Sequence, residues 1–224
     1  MPLTSDLRTK HRDLWERMVT HPFVTDMGDG TLPAEKFRRY FLQDYVFVND
    51  LVSVTALGIS KAPDLAAAGR LDAFLSGVLN PENDLFVRAF SEFGVEEAEY
   101  SSVAASPTTR AFGDFMVRTG YEGTFEEIVA LLYVTEGTYL DWGTRLTESA
   151  ARPENPIYRE WIELHTPAVL GDLVAWLADW LDHADLSAPL ERVERVFQTA
   201  LRYEYLFWEA AYNGEEWGGK GVGS

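Results

Sequence analysis

Three acidic residues stand where acidic residues are costly: Asp44, Glu136 and Glu204 each lie within a run of apolar side chains. At about 100° per residue each projects at or beside the middle of an apolar helical face. Around Asp44 that face is Phe37, Tyr40, Val48, Leu51 and Thr55; around Glu204 it is Leu190, Val193, Phe197, Ala200, Trp208 and Ala211. Glu136 lies between Leu132 and Tyr139, beside the face formed by Ile128, Leu132, Thr135, Tyr139 and Trp142. Burying an unpaired carboxylate costs on the order of several kcal/mol, so each needs a partner, a shifted pKa or a route to water. One such residue alone reads as a helix-edge carboxylate that reaches solvent or pairs with an arginine such as Arg38 or Arg202. Three on separate helices point to a pocket, because apolar faces converge in a bundle. There, desolvation and mutual repulsion raise at least one pKa and leave an acid beside a base. The nearby aromatic residues Tyr40, Phe47, Tyr139 and Trp208 offer flat walls that suit a small planar heterocycle with amino groups.

The elements that must position these residues read as helices throughout. Ser5 is expected to cap a first helix carrying Leu7, His11, Leu14, Trp15 and Met18, ending before Pro22. A long helix runs from Pro33 to about Ser60 and holds Asp44 in its apolar stripe, with Asp50 on the other, solvated side. Asp64 caps a helix to Leu79, Asn80-Pro81 breaks or kinks it, and a further segment runs from Glu82 to Phe93, before Gly94. A short helix over 108–118 carries Phe112, Phe115 and Met116 as core residues. The helix of Glu136 covers Ile128 to Gly143, a short aromatic helix includes IYREWIELHT, and helices over 167–183 and 190–212 complete the chain. Beyond residue 212, the segment 213–224 is Gly-rich and reads as a flexible tail. No strand-like alternation and no internal repeat competes with this pattern. The expectation is an all-α fold: one domain, residues 1–212, built as a bundle of seven to eight helices.

Composition bounds the chemistry. In 224 residues, 46% hydrophobic with 7 Trp, 10 Tyr and 13 Phe, there is material for one sizeable core. With no cysteine, the chain has no disulfide, no thiolate ligand and no cysteine nucleophile. A net charge of −17 opposes binding to nucleic acid or an anionic membrane and is compatible with a neutral or cationic small ligand. Fifteen of the 19 basic residues are Arg, and such an acidic surface is consistent with a high-salt habitat or simply with solubility. No signal-peptide pattern or long apolar run is visible, which predicts a cytoplasmic protein. Glycine motifs for phosphate or dinucleotides are absent. A di-iron or di-manganese bundle uses Glu-x-x-His pairs, of which the sequence has none. A haem pocket needs an axial His, and only His11 is suitably placed. No metal and no cofactor are expected.

Read in order, HPFV from His21, DGTLP, FRRYFLQDYVFV, LLYVTEGTYLDWG, YREWIELH and RYEYLFWEAAY resemble the motifs of the TenA, or thiaminase II, family over nearly the whole chain to Tyr212. The resemblance implies a heme-oxygenase-like helical fold, assembly as a homodimer or homotetramer, and hydrolysis of aminopyrimidines from degraded thiamin to hydroxymethylpyrimidine. It implies that Asp44 binds the aminopyrimidine, that Glu204 handles protons at the leaving amine, and that Tyr139 belongs to the active site. Tyr40, Phe47, Phe112, Thr135, His165 and Trp208 are then the further pocket residues. Three departures stand out. Thr135 occupies the place of the family's usual cysteine nucleophile, and Thr is a weak nucleophile without a base. The chain therefore resembles the cysteine-lacking branch, in which the adjacent Glu136 substitutes. His165 stands where many members have a pocket tyrosine, and Phe86 near a frequent histidine. The expected activity is hydrolysis of an aminomethyl- or formylaminomethyl-pyrimidine. The alternatives are a haem- or di-iron-dependent oxidase on the same fold and a non-catalytic pyrimidine-binding regulator.

Overall fold

A computed structural model describes residues 2–149 and 152–218, and every regular element in it is helical. Residues 219–224, and with them the end of the expected flexible tail, lie outside the described residues. Eight described helices have nine residues or more, matching the upper end of the expected number, and four shorter ones accompany them.

Helix α9 (Phe125–Glu148) is the axis of the molecule. Every residue from Phe125 to Thr135 is buried, so this helix meets neighbours on all sides rather than presenting one wet face. It starts where the Glu127 carboxylate accepts the Thr124 N–H at 2.9 Å, satisfying a donor that has no partner within the helix. α12 (Leu190–Asn213) and α11 (Pro167–His183) pack along it, and α4 (Ala34–Lys61) crosses it while also packing on α5 (Leu65–Gly77) and α8 (Pro107–Glu122). α10 (Pro156–Leu164) begins at Asn155, whose side chain accepts the N–H groups of Ile157 and Tyr158. The approach of α9 to the end of α10 requires Gly143: a Cβ there would stand 2.2 Å from the His165 carbonyl oxygen.

The expected first helix is two, α1 (Leu3–Lys10) and α2 (Arg12–Val19), bent at His11 (φ −108°, ψ 20°). Ser5 lies inside α1, and Pro2 holds the cap position. The His11 ring packs on Phe197 at 5.7 Å, which accounts for its periodic match to the apolar face. α3 (Pro22–Gly28) follows. Asp64 caps α5 as expected, accepting the Ala67 N–H at 2.8 Å. At Asn80-Pro81 the chain does not break. It passes through a π-helical turn, Val78–Glu82, directly into α6 (Asn83–Glu92), so the proline is absorbed by a wider turn. Gly94, at φ 68°, ends that stretch before the one-turn α7 (Glu97–Tyr100).

Asp50 is not solvated as expected. It lies against α8 where Gly113 leaves room, since a Cβ at Gly113 would fall 1.9 Å from its carboxylate oxygen, and partial burial raises its pKa. Past α12 the chain turns at Gly214 (φ 83°) and returns to the body. The Glu215 carboxylate accepts from the Ser106 hydroxyl and from the N–H and hydroxyl of Thr108, at 3.0, 2.9 and 2.8 Å, and so covers the start of α8. No helix of the described residues is long and apolar enough to cross a membrane.

Candidate active site

A cavity of about 280 Å³ opens between α4, α5, the π-turn, α9, α10, α11 and α12. Asp44 and Phe47 reach it from α4, Thr135, Glu136 and Tyr139 from α9, His165 from just beyond α10, and Glu204 from α12. The three carboxylates singled out by helical spacing thus share one enclosure. Asp44 and Glu204 are 4% and 3% exposed, so neither is a surface charge.

Among the described residues, no arginine or lysine pairs with any of the three. Burial pushes Asp44 up to about 7, opposed by a hydrogen bond from Tyr40. Glu136 is likewise pushed up to about 7 by burial and by the charge of Asp44, against a hydrogen bond from Thr135. Glu204 lies well above the carboxylate range, through burial first and then the charges of Glu136 and Asp44. The group therefore holds protons near neutrality, and its members titrate as a set. It can supply a protonated acid and an ionised base side by side.

Two hydroxyl contacts orient the set. Thr135 Oγ1 donates to Glu136 Oε1 at 3.1 Å and lies 3.2 Å from the Leu132 carbonyl oxygen, between which its single proton is shared. The hydroxyls of Tyr40 and Tyr139 are 3.0 Å apart. Either hydroxyl can be the donor in that contact, and Tyr40 also interacts with Asp44, partly offsetting the effect of burial on the aspartate. His165 is pushed down to about 4 by burial and is neutral. Its Nδ1 lies 2.6 Å from the Trp161 carbonyl oxygen, which can only accept, so Nδ1 carries the hydrogen and Nε2 is left as an acceptor.

Three of the expected pocket residues do not line the cavity. Tyr40 and Trp208 are fully buried behind it: the Trp208 ring packs on Phe23, Tyr40 and Tyr139 at 4.6, 4.8 and 5.7 Å. Phe112 stands behind Phe47 at 4.9 Å and stacks on Tyr203. Helical spacing identifies the face a residue shares but not its depth within that face. Phe86 is also a packing residue, set between Phe41, Tyr45 and Trp161. His11 lies outside the cavity.

Sequence reading missed Glu82, a fourth carboxylate lining the cavity. Burial and the charges of Asp44 and Glu136 hold its pKa well above the carboxylate range. The one signal for it was the adjoining Asn80-Pro81, a helix irregularity of the kind that gathers at functional sites. The carboxylates feel one another's charge, yet among the described residues no three His, Asp or Glu side chains converge closely enough to hold a metal ion.

An all-helical bundle enclosing a small cavity of unpaired carboxylates and aromatic walls is the class that this geometry defines. Its fold is heme-oxygenase-like: a Shewanella denitrificans domain of unknown function described by that fold superposes with a TM-score of 0.74 at 13% identity, over 94% of this chain and 92% of that one. The chain belongs to the TENA/THI-4/PQQC family, whose model matches residues 8–214. It is 30% identical, over 97% of its own length and 98% of the relative's, to an aminopyrimidine aminohydrolase of Halalkalibacterium halodurans. A TenA homologue from P. horikoshii superposes with a TM-score of 0.87 at 28% identity, covering 96% of this chain and all of that one.

Proposed function

We propose that the protein is a metal-free aminopyrimidine aminohydrolase of thiamin salvage, converting an aminomethyl- or formylaminomethyl-pyrimidine to hydroxymethylpyrimidine with carboxylates in place of a cysteine. The observation that carries this reading is the convergence of Asp44, Glu136 and Glu204, all without a cationic partner among the described residues, in one cavity. Naming of full-length relatives as aminopyrimidine aminohydrolases supports it.

Asp44 in its protonated form donates its hydroxyl to the ring nitrogen of the pyrimidine and accepts from the adjacent amino group, a two-point pairing that uses both carboxyl oxygens. Phe47 and Tyr139 flank the ring. Glu136, held by Thr135, takes a proton from a water whose oxygen bonds to the exocyclic carbon. The carbon–nitrogen bond breaks, and Glu204 in its protonated form delivers a proton to the departing nitrogen. The products are the alcohol and ammonia or the amide, and one proton returns from Glu136 to Glu204 or solvent to close the cycle. Thr135 orients Glu136 rather than attacking. Thiamin itself should be cleaved slowly without the cysteine.

The protein in this reading is cytoplasmic and forms a homodimer or homotetramer, with exposed Leu65 and Tyr121 as candidate contact residues; light scattering tests the assembly. The test of function is product analysis with aminomethylpyrimidine. Wild type should release hydroxymethylpyrimidine and ammonia, and Glu136→Gln and Glu204→Gln should not. Full turnover by both variants would overturn the assignment.

A further inference from the structure

Glu82 has no part in the chemistry above, although it lines the same cavity as Asp44, Glu136 and Glu204. Its position depends on the π-turn, which carries Val78, Pro81 and Glu82 to the cavity wall together. A regular helix would rotate the following residues back by roughly one position. Neither Glu82 nor Glu204 has a hydrogen-bond or ion-pair partner among the described residues; the influences on both are burial and the neighbouring carboxylates. The balance of charge in the cavity is therefore one-sided. Four carboxylates line it, along with the exposed Asp172, and among the described residues the one lining side chain with a permanent positive charge is Arg70, which is exposed at the helix α5 wall. Near neutrality the group is neutralised by the protons it retains, which a bound cation displaces.

The reaction assigns three of the carboxylates: Asp44 to the ring edge, Glu136 to water and Glu204 to the leaving nitrogen. One acceptor remains. An ammonium group brings a positive charge and three N–H donors, whereas an N-formyl amide brings one N–H and a carbonyl oxygen that a carboxylate repels. We propose that Glu82 is a specificity-determining residue that accepts the protonated amine of the substrate as it binds, the ammonium yielding one proton to ionised Glu204, which returns it as the carbon–nitrogen bond breaks, so that the site selects free aminomethylpyrimidine over its N-formyl derivative. This rests on the reading of the site as an aminopyrimidine pocket. It separates two substrates that the overall activity leaves equivalent, through an attractive contact for one and a repulsive contact for the other.

Calorimetric titration of the full chain with aminomethylpyrimidine, its N-formyl derivative and neutral hydroxymethylpyrimidine tests it, using wild type, Glu82→Gln and Glu82→Met. Wild type should bind the free amine more tightly than either neutral ligand. Both variants should lose about 10- to 100-fold in affinity for the amine, the scale of a charge-assisted hydrogen bond, while their affinities for the neutral ligands stay the same or improve. A parallel loss for all three ligands, no loss for the amine, or a wild type that prefers the N-formyl derivative would overturn the proposal. Thermal midpoints equal to or above wild type establish that the variants fold, since each removes a buried carboxyl group that has no partner among the described residues. Turnover is read separately: if the amine binds through Glu82 but no hydroxymethylpyrimidine forms, the proposed reaction fails and the assignment of Glu82 stands.

Discussion

Glu136 and Asp141 lie on the same helix, little more than a turn apart, and have opposite fates. Asp141 faces α1 and α2, where its carboxylate accepts from Arg8 at 2.7 Å, from the Trp15 indole N–H at 2.7 Å and from Arg145 at 2.6 Å. Burial would raise its pKa, but these donors outweigh burial and hold it below the usual range. Arg145 in turn reaches Glu16 through a two-bonded contact at 2.9 and 3.0 Å. Glu136 faces the cavity, accepts one hydroxyl bond, and is pushed up to about 7. Burial is common to the two; what separates a structural carboxylate from a reactive one is whether the fold has provided cations and donors for it.

The comparison can be broken most directly by removing one charge from each side. Glu136→Gln should lower turnover of aminomethylpyrimidine by about 10²- to 10⁴-fold, the range for a lost general base, with no loss of thermal stability at pH 8. Asp141→Asn should do the reverse. It should cost about 1–2 kcal/mol, discounted because Arg8 and Arg145 are each about two-fifths exposed, and leave turnover of the folded protein intact. Denaturant unfolding and initial rates on both variants decide it, and loss of activity in Asp141→Asn at full stability would erase the distinction.

The pH dependence of stability sharpens the same contrast. Between the ordinary carboxylate range and about 7, folded Asp44 and Glu136 keep protons that the unfolded chain has released. Their contribution is therefore full at low pH and is lost as pH rises through about 7. Asp141 has the opposite sign: its contribution is present above the usual aspartate range and is lost as pH falls through its depressed folded value. In urea unfolding from pH 5 to 8, Glu136→Gln should flatten the decline, whereas Asp141→Asn should leave that slope unchanged and weaken the acid limb. The smallest effect is expected from Tyr40→Phe. Removing its hydroxyl bond, worth about 0.5–1.5 kcal/mol, should raise the Asp44 pKa and move the corresponding limb of the rate–pH profile upward by about one unit or less.

The sequence was most informative where one helix face carries one anomaly. Asp44, Glu136 and Glu204 could be found because a long, regular helix converts spacing into direction, and all three faces do converge. Glu82 was hidden because the π-turn breaks the periodicity on which that inference depends. Tyr40 and Trp208 shared the right faces and proved to be the backing of the wall, since depth is set by which helix lies in front, whereas Phe112, expected in the pocket from the family resemblance alone, is the core residue that its own helix pattern indicated. Asp50 appeared solvated because nothing in its own helix shows that Gly113 will bring α8 against it. Likewise, the donors around Asp141 come from α1, α2 and its own last turn, and that pairing exists only in the folded arrangement.

The cavity draws its first carboxylate from α4 and its last from α12, so most of the chain lies between Asp44 and Glu204. During synthesis the earlier helices emerge with their apolar faces but without the strand of sequence that completes the enclosure. Closing contacts so distant along the chain is a slow step in folding. Binding competence should consequently appear late in refolding, after most helical signal has returned, and the half-built pocket is the stage at which this protein is most exposed to aggregation.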